Sequence, residues 1–304
     1  MSISFKEDHI SQIPALLMLE KFGYTYLTPD EALALRGGNL ANVLLEPVLR
    51  KQLAAINVVQ VSSMRTTVFS EQNITAGIDA LRNIPMDEGF MEASQTVYDL
   101  LTSGKTLEQI VDGDRKSFVM QYIDWKNPRN NVFHVTEEFA VSRTGMTDTY
   151  RPDIVLFVNG IPLCIIECKR PDVKDSIEQA ISQHLRNQKA DGIRSLYLYS
   201  TLLLAINRQE GSYATTATPE KFWARWREQF ANREEEVRYR QELERVVNEP
   251  LLDDKLFGER FDYVHRNFED LYKQPVTPSV QDEYLYSLCR PERLLQLMYG
   301  FTLY

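Results

Sequence analysis

RPDIVLFVNGIPLCIIECK, running from Arg151 to Lys169, is the stretch on which the reading of this chain turns. Two apolar runs, Ile154 to Val158 and Ile161 to Ile166, flank the dipeptide Asn159-Gly160. Apolar runs bounded by turn residues read as buried strands, and two of them around Asn-Gly read as a β-hairpin. Side chains alternate along a strand, so Glu167 and Lys169 share one face and Cys168 takes the other. Asp153 stands just before the first run. Two carboxylates and a lysine are costly to place against a core, which marks this end of the hairpin as a candidate site.

The length of the turn decides whether the carboxylates meet. In a two-residue turn, residues whose numbers sum to 319 face each other, and Asp153 and Glu167 point to opposite faces. In a three-residue turn the sum is 318. Asp153 then opposes Ile165, and Glu167 becomes its same-face diagonal neighbour at roughly 7–8 Å. Only an odd-length turn or a bulge lets both carboxylates share a cation. The expectation is a three-residue turn, Val158-Asn159-Gly160, with Gly160 at positive φ.

Outward from the hairpin, Asn131 to Arg143 alternates and reads as a strand leading in. Val173 to Gln188 reads as an amphipathic helix, with Ile177, Ala180, Ile181, His184 and Leu185 inward and Gln179 and Gln183 on its flank. Ser195 to Ile206 is strand-rich, Tyr213 to Thr216 is a possible partner strand, and Pro219 to Phe230 reads as a helix carrying Trp223 and Trp226. Upstream, helices are expected over Ser4 to Phe22 (with a kink or restart at Pro14), Pro29 to Ile56 (broken at Gly37-Gly38), Asn73 to Arg82 and Gly89 to Leu101. Tyr24 to Leu27 and Val58 to Phe69 are weaker strands. Asn232 to Asn248, dense in alternating charge, reads as a solvated helix.

The 304 residues suit one large domain or two small ones. We expect a main domain over 1–250 that carries the hairpin site and a helical extension over 251–304, whose terminal apolar helix suggests a piece of a longer polypeptide. Hydrophobic content of 43% is ordinary for a globular protein. The three cysteines, odd in number, fit buried thiols in a reducing compartment. No run of 18 apolar residues and no signal-peptide pattern occurs, so a cytoplasmic protein without membrane attachment is expected. The net charge of −9 argues against strong autonomous binding of nucleic acid, while permitting a local basic patch.

Paired carboxylates with an adjacent lysine suit phosphodiester hydrolysis. Carboxylates attract Mg²⁺, which prefers hard oxygen ligands, and a lysine can orient water and stabilise developing charge. Asp/Glu-x-Lys occurs five times, at Asp114-Arg-Lys116, Asp124-Trp-Lys126, Glu167-Cys-Lys169, Asp172-Val-Lys174 and Asp253-Asp-Lys255. Only Glu167-Cys168-Lys169 ends an apolar strand and faces an upstream Pro-Asp across a hairpin. Ser103-Gly-Lys-Thr106 resembles the tail of a phosphate loop, but Asp99 stands where that loop needs glycine and no strand precedes it, so it is rejected. His134 and His184 lie on strand and helix faces and read as core or capping histidines, His9 and His265 lack metal-ligand spacing, and the Trp223/Trp226 pair reads as packing. Arg151, Arg170 and Lys174 are candidates for phosphate contact.

Pro152-Asp153 followed by Glu167-Cys168-Lys169 resembles the PD-(D/E)xK nuclease motif. The longer string RPDIVLFVNGIPLCIIECKRP, with Ala180-Ile-Ser-Gln183 on the next helix, resembles the N-terminal nuclease domain of the restriction (motor) subunit of type I restriction–modification enzymes. EDHISQIPALLMLEKFGYTYL (from Glu7), VLLEPVLRKQLAAIN (from Val43) and PERLLQLMYGFTLY fit the same family. The resemblance implies Asp153 and Glu167 as Mg²⁺ ligands, the Cys168 carbonyl as a further ligand, and Glu7 as an added acidic residue. It implies Lys169 as catalytic and Gln183 as part of a Gln-x-x-x-Tyr element contacting a phosphate or the lysine. Here Asn187 stands at the tyrosine position. It further implies a restriction-endonuclease-like α/β (α+β) fold, a central mixed sheet flanked by helices. Family members carry an ATP-dependent translocase after this domain, with methyltransferase and specificity subunits as partners.

The leading expectation is a Mg²⁺-dependent endonuclease acting on double-stranded DNA after ATP-driven translocation by a motor outside this chain. The alternatives are a catalytically silent docking or coupling module and a related repair nuclease.

Overall fold

A computed structural model describes residues 11–62, 65–250 and 275–301. Its centre is a six-stranded mixed sheet in the order β1-β6-β9-β10-β11-β12. The strands are β1 (Thr25–Leu27), β6 (Phe133–Glu137), β9 (Ile154–Val158), β10 (Ile161–Cys168), β11 (Leu202–Ile206) and β12 (Gly211–Ala214). β9 and β10 are the expected hairpin and lie in the middle of the sheet, with every residue of both strands buried. Burial on both faces is why these strands read as unbroken apolar runs. β10 runs antiparallel to β9 and parallel to β11. The parallel step needs a crossover, supplied by α6 (Ser176–Asn187) and the single turn α7 (Arg194–Tyr197).

The turn differs from expectation. Val158 pairs directly with Ile161, so it has two residues, and Asn159 and Gly160 both sit at positive φ (53° and 84°). That is the twist-matched form that Asn-Gly favours. The register then shifts at Leu163: paired numbers sum to 319 beside the turn and to 320 from Cys164 to Ile166. This bulge, rather than an odd turn, restores the parity. Its cause is Pro162, which has no N–H to donate and in a central strand is tolerated at a bulge. The Pro162 carbonyl accepts from Ser200 Oγ (3.1 Å), and the Leu163 carbonyl accepts from the Thr201 amide (3.1 Å).

The hairpin tip is buried. Asn159 donates through Nδ2 to the Tyr122 carbonyl (2.9 Å) and to Asn131 Oδ1 (2.8 Å), while its Oδ1 accepts from the Val132 amide (2.9 Å). The Gly160 carbonyl accepts from the Leu45 amide (2.9 Å), just before α3 (Glu46–Ile56). A Cβ on Gly160 would stand 2.6 Å from the Leu45 carbonyl oxygen, so only glycine fits this approach.

The remaining elements surround this hairpin. α1 (Ile13–Lys21) carries Pro14 in its first turn, where a proline is tolerated, and packs near β6. α2 (Pro29–Ala34) ends before Gly37-Gly38, and its Thr28/Glu31 capping box holds the start. β2 (Val58–Ser62) and β3 (Arg65–Val68) form a small hairpin, followed by α4 (Glu71–Arg82) and α5 (Phe90–Ser103). Gly104 caps α5 and β4 (Lys105–Val111) starts at once, so a helix precedes the rejected phosphate-loop remnant. β4 pairs with β5 (Asp114–Met120) around Asp112-Gly113, both at positive φ. The expected 131–143 strand is split by Glu138 (φ 46°) into β6 and β7 (Val141–Ser142), the latter pairing with β8 (Thr149–Tyr150). The charged segment is α8 (Arg233–Asn248), which buries Leu243 and Val246. Helices Val280–Leu288 and Pro291–Phe301 pack into the same core as the sheet, and Tyr24 Oη donates to the Cys289 carbonyl (2.8 Å).

The expected helix over Pro219 to Phe230 does not form. Only a short turn, Glu220–Phe222, is helical, and Ala224 then pairs antiparallel with Tyr213 beside β12. Tertiary partners outweigh helical propensity here. The sheet edge supplies hydrogen bonds, Trp223 stacks on His184 (5.3 Å between centroids), and Trp226 packs edge-on against Tyr213 (5.5 Å). All three cysteines are buried free thiols. Among the described residues no helix is long and apolar enough to cross a membrane.

Candidate active site

The bulge at Leu163 decides the site. One step beyond the last pair, Ile154 with Ile166, Asp153 and Glu167 stand opposite each other on one face. The spacing is tighter than the diagonal one a three-residue turn would give. Asp153 Oδ2 accepts from the Cys168 amide (2.7 Å), which ties the loop before β9 to the end of β10. Gln12, at the start of α1, donates to the Asp153 carbonyl (3.0 Å). Nothing in the sequence singled out Gln12; only the packing of α1 against this loop reveals it.

Lys169 points back over the pair. Its Nζ lies 3.0 Å from the Cys168 carbonyl, 3.3 Å from Asp153 Oδ2 and 4.0 Å from Glu167 Oε2. The three oxygens that the ammonium meets come from the residues expected to be metal ligands. Glu167 is fully buried, whereas the Asp153 and Lys169 side chains keep 16% and 13% of their exposure. The site is therefore open from the Asp153–Lys169 side. Burial pushes the Glu167 carboxyl well above its ordinary range, and the Asp153 charge pushes the same way. The Lys169 charge opposes them, a hydrogen bond with Asp153 raises the value further, and Arg186 lowers it.

Gln183 reaches this carboxylate from α6, donating to Glu167 Oε2 (2.5 Å). Among the described residues its hydrogen-bond partner is thus the glutamate rather than the lysine. Among those residues Glu167 Oε1 is buried and accepts no hydrogen bond. An unsatisfied buried carboxylate oxygen is costly, and the residue that carries it stands opposite Asp153. No trio of His, Cys, Asp or Glu side chains gathers as a metal cluster among the described residues. The hard donors are two carboxylates and a peptide carbonyl, a set that fits a hydrated Mg²⁺ ion. Glu7 lies outside the described residues.

Behind Gln183 the helix carries a buried polar relay that sequence reading did not find. His184 Nε2 meets the Leu204 carbonyl (3.0 Å), which can only accept, so that nitrogen carries the proton. His184 Nδ1 then accepts from Tyr197 Oη (3.0 Å). Burial holds the His184 pKa down to about 4, so the ring is neutral. Asn187, at the position where a tyrosine was expected, is fully buried, with its Nδ2 3.5 Å from Tyr197 Oη. Of the basic candidates, Arg170 pairs with Asp172 and Lys174 with Asp175, while Arg151 is exposed.

The chain is also similar to known proteins. Residues 4–222 match the family described as type I restriction enzyme R protein N terminus. A putative type I restriction enzyme MjaIXP endonuclease subunit of Methanocaldococcus jannaschii is 27% identical over 228 residues, covering 72% of this chain and 20% of that protein. The MjaVIIIP endonuclease subunit of the same organism, also putative, is 30% identical over 175 residues (56% of this chain, 15% of that protein). The type I restriction enzyme HindI endonuclease subunit of Haemophilus influenzae is 28% identical over 206 residues (65% and 18%). The matched part thus spans a fifth or less of these curated relatives. With more than half of its length matched by the family model, the chain belongs to the type I restriction enzyme R protein N-terminus family.

Proposed function

We propose that this chain is the endonuclease module of a type I restriction enzyme, hydrolysing phosphodiester bonds of double-stranded DNA with Mg²⁺. One observation carries the reading. The buried Glu167 carboxylate, with an oxygen that accepts no hydrogen bond among the described residues, faces Asp153 while the Lys169 ammonium lies within 4.0 Å of both. Asp153, Glu167 and the Cys168 carbonyl would hold the ion. When bound, Mg²⁺ supplies neutralisation of phosphate charge and polarisation of a water.

The protein's own groups do the rest. Gln183 holds Glu167 Oε2, leaving Oε1 without a hydrogen bond among the described residues. The Cys168 amide fixes Asp153 Oδ2. Lys169 Nζ sits at the open side, where it can donate to a non-bridging phosphate oxygen or orient the attacking water. Hydrolysis joins the water oxygen to phosphorus, breaks one ester P–O bond and returns a proton to the leaving oxygen.

In this reading translocation driven by ATP belongs to protein beyond this chain. Methyltransferase and specificity subunits are the partners, and the protein works in the cytoplasm on DNA. The test is Lys169→Ala and Asp153→Ala in the intact protein with its partner subunits. Loss of Mg²⁺-dependent plasmid cleavage with ATP-driven translocation retained supports the proposal. Unchanged cleavage in both variants sinks it and leaves a silent docking module.

A further inference from the structure

Arg186 lies three residues beyond Gln183 on α6, one helical turn along the face that reaches Glu167. Its guanidinium carbon is 4.3 Å from the centroid of the Tyr150 ring. Nε and Nη2 both donate to Asn187 Oδ1, at 3.3 and 3.0 Å. Among the described residues Nη1 has no hydrogen-bond partner and no carboxylate lies within ion-pair distance of the group. The side chain is exposed, so the free edge of the fork is accessible.

Arg143 shows what a structural arginine looks like at the same place. It stacks on the same Tyr150 ring, 4.5 Å from the centroid. Its Nη1 pairs with Asp148 (3.0 Å), its Nη2 pairs with Asp191 (2.6 Å), and its side chain is only 15% exposed. One arginine on the ring is neutralised by two carboxylates, and the other is held by a neutral amide alone.

That amide is oriented for the task. The neutral His184 ring accepts a hydrogen bond from the Tyr197 hydroxyl at Nδ1, so the Tyr197 oxygen turns a lone pair toward Asn187 Nδ2. Asn187 must then present Oδ1 outward, to Arg186. The relay fixes the plane of the guanidinium without consuming its charge. The charge also reaches the site, because Arg186 is among the groups that pull the Glu167 carboxyl down. An unneutralised guanidinium one turn along adds positive charge where a phosphodiester would approach the site. Guanidinium forks match phosphate oxygens in pairs, and aromatic stacking is compatible with that contact.

We propose that Arg186 is the residue that seats the DNA backbone at this site, binding a phosphate beside the one cleaved, with Tyr150 and Asn187 as its positioning residues. The proposal rests on the nuclease reading above, and its test separates the two.

The experiment uses the intact protein with Arg186→Ala, Arg186→Lys, Arg143→Ala and Lys169→Ala, each checked for its melting temperature. Binding of a labelled duplex of about 20 base pairs is measured in EDTA across salt, and Mg²⁺-dependent cleavage is measured separately. Arg186→Ala should weaken binding about tenfold near 0.15 M salt and flatten the plot of log affinity against log salt by about 0.9, one phosphate contact. Arg186→Lys should recover the slope and part of the affinity, since it keeps the charge and loses the fork. Arg143→Ala should keep the wild-type slope. An unchanged slope in Arg186→Ala overturns the proposal. So does a loss that Arg186→Lys shares in full alongside an equal drop in melting temperature, which marks a packing role. Full cleavage by Lys169→Ala would refute the nuclease reading, while the binding slopes still decide the role of Arg186.

Discussion

Replacing Glu167 with Gln should stabilise the metal-free protein, increasingly so as pH rises. Glu167 is fully buried and its carboxyl is pushed well above the ordinary value of 4.5, first by burial and then by Asp153. Between 4.5 and that raised value the native state holds a proton that the unfolded chain has lost. Stability contributed by this group is therefore complete below 4.5 and falls by about 1.4 kcal/mol for each pH unit through the window. His184 acts in the opposite sense over a neighbouring range. Its folded value of about 4 lies below the ordinary 6.5, so its contribution is complete above 6.5 and falls as pH drops toward 4. From 4.5 to 6.5 the two slopes offset each other; above 6.5 only Glu167 remains of the pair. Glutamine keeps an oxygen for Gln183 Nε2 and adds a donor toward Asp153, so the substitution costs little packing. Urea unfolding in EDTA from about pH 5 to 8 gives the difference between wild type and Glu167→Gln, in which other titrating groups cancel. The advantage of the variant should grow by about 1.4 kcal/mol per pH unit until the folded value is reached, and Mg²⁺ should stabilise only the wild type. A flat difference across that range refutes the burial argument.

Two further outcomes follow from the same geometry. Gly160→Ala puts a Cβ 2.6 Å from the Leu45 carbonyl at a φ of 84°, and should cost about 2 kcal/mol or more in chemical unfolding; a loss under about 0.5 kcal/mol would mean that the turn relaxes freely. The His184 ring should stay neutral through pH 5 and titrate near 4 by NMR, whereas a midpoint near 6.5 would mean that the buried relay with Tyr197 is open to water.

What could be read from the chain was local. Asn159-Gly160 between apolar runs specified a hairpin, and Asp153 and Glu167-x-Lys169 at its ends were visible without any structure. The register was misjudged because the parity came from Pro162, whose meaning depends on where the strand lies. At a sheet edge proline is unremarkable, whereas in a central strand it marks a bulge, and centrality is a property of the whole fold. Asp112-Gly113 carries a legible turn signal between β4 and β5. The Trp223–Trp226 segment has helical spacing, but its backbone joins the edge beside β12 and its indoles pack on His184 and Tyr213. The Arg186–Asn187–Tyr197–His184 relay links neighbours on α6 to a tyrosine ten residues on, and no spacing rule points to that hydroxyl.

The buried hairpin tip and the carboxylate end constrain each other. A hairpin in the middle of a sheet with both faces apolar has little to stop its register slipping by one, since either face is content in the core. Here slippage would turn Asp153 or Glu167 into the sheet. Asn159 prevents it through the Tyr122 carbonyl, Asn131 and the Val132 amide, and Gly160 through Leu45 before α3. The bulge is held separately, by Ser200 and Thr201 on the carbonyls of Pro162 and Leu163. Register is thus set at the turn, parity at the bulge, and the carboxylates merely inherit both. A polar anchor buried at the end of the hairpin remote from the carboxylates is what allows an apolar hairpin to present two acidic residues to one side.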